Sequence, residues 1–114
     1  MKKEKIRIFV SNARLELKKY LKTKKEIYLQ QASEKVWGAY TLLIEHKTHR
    51  EIRSHPEIRS ESRILIHQNK LSKKLYDNAS ILHSYYYEGR IFEDVVVRMV
   101  KDSILLIKKE LRRY

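Results

Sequence analysis

KEKIRIFVSNARLELKKYLKTKKEIYLQQASEKVWGAYTLLIEHK, residues 3–47, is the stretch that decides the fold. In its first half Ile6, Phe9, Val10, Ala13, Leu17, Tyr20 and Leu21 recur at steps of three and four, which is one face of a helix over about Lys3–Lys22. Thr23-Lys24-Lys25-Glu26 then has the form of a capping box, the hydroxyl accepting a backbone N–H and the carboxylate reaching back, so a second helix should start there. It is expected to run to about Lys47 with Leu29, Ala32, Val36, Ala39, Tyr40 and Leu43 facing inward. So short a connection forces the two helices to lie antiparallel. Gly38, beside Trp37 in mid-helix, costs about 1 kcal/mol relative to Ala. It therefore marks a place where another helix, a second copy or a ligand comes close to the backbone.

Downstream, His46 to Pro56 is polar and reads as a loop, and Ser54-His55-Pro56-Glu57 looks like a second capping box. A short basic helix is expected over Glu57–His67, and a fourth over about Leu71–Tyr87 with Gly89 as its C′ residue. The last helix carries Phe92, Val95, Val96, Met99, Val100, Ile104, Ile107 and Leu111 as an apolar stripe. Glu93 and Asp94 begin it, and Lys108, Lys109, Arg112 and Arg113 end it, matching the helix dipole. The expectation is an all-α, single-domain bundle of about five helices over residues 1–114, with two long antiparallel N-terminal helices and neither strand nor repeat.

Composition agrees. With 114 residues there is material for one hydrophobic core, 42% apolar content is too high for disorder, and two Gly with one Pro leave too few turns for a β-barrel. The longest uncharged stretch, Asn78 to Tyr87, is half of the roughly 20 residues that cross a bilayer. No secretory leader is legible, so a cytoplasmic location is expected. The lack of Cys excludes disulfides and thiolate chemistry, and three Asn with three Gln fit a thermophile's avoidance of labile residues.

The net charge of +12 has two sources. Residues 1–25 hold ten basic against two acidic residues, and residues 46–74 hold eight against three. Such a field attracts polyanions without choosing among them. On the first helix, Arg14, Lys18, Lys22 and Lys25 make a basic stripe whose plainest interpretation is a solvated face. In the second region Arg50, Arg53, Arg59 and Arg63, interleaved with His49, His55 and His67, suit phosphate better than a divalent cation, because guanidinium forks match phosphate oxygens. His46 and His49 stand at metal-ligand spacing beside Glu45 but lack the H-E-x-x-H order, so neither a metal nor another cofactor is expected.

The most distinctive tract is Leu82-His83-Ser84-Tyr85-Tyr86-Tyr87-Glu88-Gly89. Three successive tyrosines on a helix point about 100° apart, so they cannot all be core. Either Tyr86 packs inward while its neighbours plug an interface, or a ring stacks on a nucleobase. His83 in the same tract is either a satisfied core histidine or a general acid/base.

Gln31-Ala32-Ser33-Glu34-Lys35-Val36-Trp37-Gly38-Ala39, Ser54-His55-Pro56-Glu57, and Leu82-His83 leading into Tyr87-Glu88-Gly89 together resemble the archaeal PaREP family, a branch of the HEPN superfamily of helical bundles. The resemblance covers about residues 20–110. It implies a bundle of about five helices, usually a homodimer, with nucleotide or RNA partners; many relatives of this kind are metal-independent RNases that use an Arg-x4-6-His motif, and many partner a minimal nucleotidyltransferase. In this chain Tyr76, Asp77 and Asn78 stand where that Arg would precede His83, and Tyr85-Tyr86 stand where the family usually has Asn-Phe. Arg50 to His55 matches the spacing, but in the loop after the second helix.

The function expected is therefore binding of a nucleotide or nucleic acid by a small dimeric module, non-catalytic, with Arg50, Arg53, His55, Arg59, Arg63, Tyr85, Tyr87 and Glu88 binding and His83 the one candidate for catalysis. The alternatives are an RNA endonuclease using His83, with Arg50 or Arg53 in place of the missing Arg, and an interaction module for a minimal nucleotidyltransferase. No membrane partner is expected.

Overall fold

The computed structural model describes residues 2–113. Five helices follow one another: α1 (Lys2–Thr23), α2 (Glu26–Thr48), α3 (His55–His67), α4 (Lys73–Glu88) and α5 (Glu93–Leu111). Among the described residues there is no strand. Among the described residues no helix is long and apolar enough to cross a membrane.

The turn between α1 and α2 differs from the expected capping box. α1 runs on to Thr23, whose hydroxyl donates back to the Lys19 carbonyl at 2.8 Å. Lys24 then closes the helix in the left-handed region, φ 59°, its N–H reaching the Tyr20 carbonyl at 2.7 Å. The N-cap of α2 is consequently Lys25, with no side-chain cap, and Glu26 is left free to accept from the Tyr85 hydroxyl at 3.0 Å.

The other caps are nearer to expectation. Ser54 Oγ accepts from Glu57 N, and Pro56 sits in the first turn where its missing N–H costs nothing, so α3 starts at His55, two residues early. Ser72 caps α4 through Leu75 N, which starts that helix two residues later than the apolar pattern suggests; Leu71 is buried ahead of it. Gly89 ends α4 in the left-handed conformation, φ 63°, its N–H bonded to the Tyr85 carbonyl, as a C′ glycine should. α5 has Glu93 and Asp94 in its first turn and Lys108 and Lys109 in its last.

All four other helices pack against α2, and α5 also packs against α4 and α1. The Lys2–Glu45 ion pair at 2.9 Å joins the start of α1 to the end of α2, as antiparallel packing requires. Glu45 also accepts from Ile52 N at 2.9 Å, which pins the loop before α3. Every α2 residue expected inward is buried, and so are Trp37, Ile44 and Lys47. Three residues of the expected apolar stripes are exposed instead: Leu21 faces out from the end of α1, Phe92, at the N-cap of α5, is 82% exposed, and Val95 faces out from the first turn of α5. The neighbour at Gly38 is α1, because a Cβ there would lie 2.5 Å from Phe9 Cε1.

A buried ion pair locks the far ends of α2 and α5. Lys47 Nζ lies 2.9 Å from Glu110 Oε1, with side-chain exposures of 0% and 4%. Glu110 also accepts from Ser72 N at 2.9 Å and from Arg113 at 3.0 Å, and Arg113 donates to the Asn69 carbonyl. The last turns of two helices and the cap of a third thus share one carboxylate.

Two outcomes follow for chemical denaturation. Lys47→Met should cost about 3–5 kcal/mol by stranding a buried carboxylate, whereas Lys47→Met with Glu110→Leu should recover part of it; a single mutant within about 0.5 kcal/mol of wild type contradicts this account. Gly38→Ala should lower stability by about 1 kcal/mol, since overpacking of about 1–3 kcal/mol outweighs a helix-propensity gain of about 1. In a Phe9→Ala background the same change should raise stability by about 1 kcal/mol.

Candidate functional site

α2, α4 and the first turn of α3 bring four rings and a carboxylate together. Trp37 is the floor, 9% exposed in the middle of α2. His83 of α4 stacks on it with centroids 4.4 Å apart and planes 20° from parallel. His83 Nδ1 lies 3.3 Å from Glu34 Oε1, one turn before Trp37 on the same face. His55, the first residue of α3, meets the His83 ring edge-on at 4.6 Å and Trp37 at 5.6 Å. Tyr87, one turn beyond His83, closes the other side at 5.1 Å. The Glu34 contact leaves Nε2 as the His83 nitrogen not engaged by that carboxylate.

The outer face of this cluster is aromatic and wet: Tyr87 is 70% exposed, and His55 is exposed. From His55, Arg59 and Arg63 follow at one-turn steps along α3, both exposed, and with Pro56, Ser60 and Ile64 they line a shallow hollow of about 450 Å³. Guanidinium groups at that spacing, about 6 Å apart along the helix axis, match successive phosphates of a single strand. A ring platform continued by two Arg is a surface that can stack a base and hold its backbone.

Of the residues singled out from sequence, His55, His83 and Tyr87 meet, and Arg59 and Arg63 extend the same edge. Arg50 does not join them. It pairs with Glu61 in another hollow, beside His49 and Arg113, and Arg53 lies 3.7 Å from Glu51 on the surface. Tyr85, expected in the cleft, is instead the ring that packs inward, 1% exposed, and Tyr86 is half-buried against Tyr87 at 5.0 Å. Burial pushes the Tyr85 hydroxyl pKa up, and its hydrogen bond to Glu26 pushes the same way. Glu88 is exposed at the end of α4.

His46 and His49 lie 6.5 Å apart beside Lys2 and Lys3. Burial, with the charges of Lys3, His49, Lys47 and Lys2, lowers the pKa of His46. Among the described residues no three His, Cys, Asp or Glu side chains are grouped to hold a metal ion.

Sequence reasoning missed Trp37 and Glu34 as members of the site. Their signal was there in part, because they sit one turn apart in the Gln31–Ala39 string, but only the packing of α4 against α2 brings His83 to them. The chain matches no family model, no curated protein and no solved structure.

Trp37 is the chain's single tryptophan, so its emission reports on the stack. Removing the stacked imidazole opens the indole face to water, so His83→Ala should move Trp37 emission to longer wavelength. His55→Ala, which removes only a ring that meets Trp37 edge-on at 5.6 Å, should move it less; emission unaltered in His83→Ala argues that the rings do not stack in solution.

Proposed function

We propose that the protein binds single-stranded RNA or a nucleotide at the edge formed by His83, Tyr87, His55, Arg59 and Arg63. One observation carries this reading: His83 of α4 and His55 of α3 converge on Trp37, Tyr87 flanks His83, and the α3 stripe that leads away from them is cationic. Base stacking on Tyr87 and His55, with phosphates on Arg59 and Arg63, uses what each group does best. The +12 charge supports a polyanionic partner, and the resemblance to the PaREP branch of the HEPN bundles favours RNA, a cytoplasmic setting and a homodimer. A minimal nucleotidyltransferase is the protein partner that resemblance implies.

A second reading has its own support. His55 and His83 are near enough to divide acid and base roles, one taking a ribose 2′-hydroxyl proton and the other protonating the leaving 5′-oxygen. His55 then supplies what Arg50 and Arg53, paired elsewhere, do not.

The test is a labelled RNA pool incubated with wild type and variants in EDTA, with retention measured across a salt series. Log affinity should fall with log salt, and Arg59→Gln with Arg63→Gln should flatten that slope by about 0.7 per residue. Tyr87→Ala should weaken binding by about 1–3 kcal/mol. Retention that ignores these changes rejects the site. Cleavage that is lost in both His83→Ala and His55→Ala selects the nuclease reading; binding without cleavage selects the module.

A further inference from the structure

On another face of the molecule, α1 and α5 run antiparallel and leave an open groove between them. Its floor is aliphatic: Leu15, Leu17, Leu21, Ile104 and Leu105 line a hollow of about 710 Å³. Leu15 is 55% exposed and Leu105 64%, although both lie within regular helix, where a turn of rotation could have placed a charge instead. A second hollow of about 350 Å³ shares Ser11 and Arg14 with the first and continues the seam over Val10 and Leu111. From Arg7 to Leu21 the groove follows α1 for about 21 Å, the length of a four-turn helix.

The rim decides what fits. Arg14, Lys18 and Lys101 border the first hollow and Arg7, Lys108 and Arg112 the second, and neither lining contains an acidic residue. Six cations beside an apolar strip repel a second copy of this chain, which in a two-fold contact brings the same six charges against them. The groove lining has no aromatic ring on which a nucleobase could stack. An amphipathic helix with apolar residues at i, i+3, i+4 and i+7 and Glu or Asp on its flanks satisfies floor and rim together.

We infer that the α1–α5 seam is a docking groove for an acidic amphipathic helix of a partner protein. The apolar strip holds the helix, and the rim selects its charge and speeds encounter. Arg14 and Lys18, which in the sequence look like a solvated face, acquire a function from their place beside exposed leucines. The groove is independent of the Trp37 site, so one can fail without the other.

The full chain is titrated into a fluorescein-labelled, hydrocarbon-stapled peptide of about 18 residues with Leu at i, i+3, i+4, i+7 repeats and Glu elsewhere, and anisotropy is read. A Kd of about 100 µM or tighter is expected in low salt, weakened roughly tenfold by Leu105→Glu and by Arg14→Glu with Lys101→Glu. The same peptide with Lys for Glu should not bind. Circular dichroism and an unchanged thermal unfolding midpoint show that the variants remain folded, as substitutions at exposed positions should. The proposal is overturned if the Glu peptide fails to bind at about 1 mM, if the Lys peptide binds as well, or if Leu105→Glu binds like wild type. It is equally overturned if Leu105→Glu abolishes self-association in sedimentation, RNA retention with the fold intact, or pelleting with phosphatidylserine vesicles, each of which names a different occupant.

Discussion

Lys47 and Glu110, buried together at 2.9 Å, hold the ends of the bundle in register. Two charges taken out of water are tolerable only when each remaining lone pair finds a donor, and Glu110 finds them in Ser72 N and Arg113. The last turn of α2, the last turn of α5 and the cap of α4 must therefore arrive at one point. A glutamate at the end of α5 opposes that helix's own dipole, so its position is explained by its partners and not by the helix. With this end closed, the α2–α4 packing that stacks His83 on Trp37 has no freedom to slide by a turn.

α2 is the element through which the whole molecule communicates. Its one face supplies the floor of the ring cluster at Trp37 and the Glu34 carboxylate, and a turn later Tyr40 bonds to Ser62 of α3. That buried hydroxyl pair fixes α3 against α2, and α3 in turn carries His55, Arg59 and Arg63. Gly38 lets Phe9 of α1 lie flush on the same helix. A core joint, a close approach and a candidate site thus share about two turns of helix. The site gains rigidity from that crowding, since a stacked base meets rings already held by packing.

The two basic regions of the sequence separate in space into two kinds of surface. The Arg residues of α3 adjoin aromatic rings, a combination suited to nucleotides. The cations of α1, joined by those of α5, flank aliphatic side chains, a combination suited to an acidic helix. Net charge alone does not distinguish them, because field strength depends on the count of charges while recognition depends on what lies between them.

Helix number, the antiparallel start and most of the core were legible in the sequence, because a period of 3.6 in apolar residues is a local property with one geometric solution. The errors sit at the ends of elements: Thr23 back-bonds instead of capping, and Phe92 caps an end instead of joining the stripe. There a side chain chooses between partners of similar energy, and local spacing does not rank them. His83, His55 and Tyr87 were legible as unusual residues, and the excess of charge over residues 46–74 as a polyanion signal. That His55 touches His83, that Tyr85 and not Tyr86 turns inward, and that Arg50 spends its charge on Glu61 were decided only by tertiary packing. Each depends on the rotation and offset of one helix against another, quantities set by the fit of side chains across the whole core.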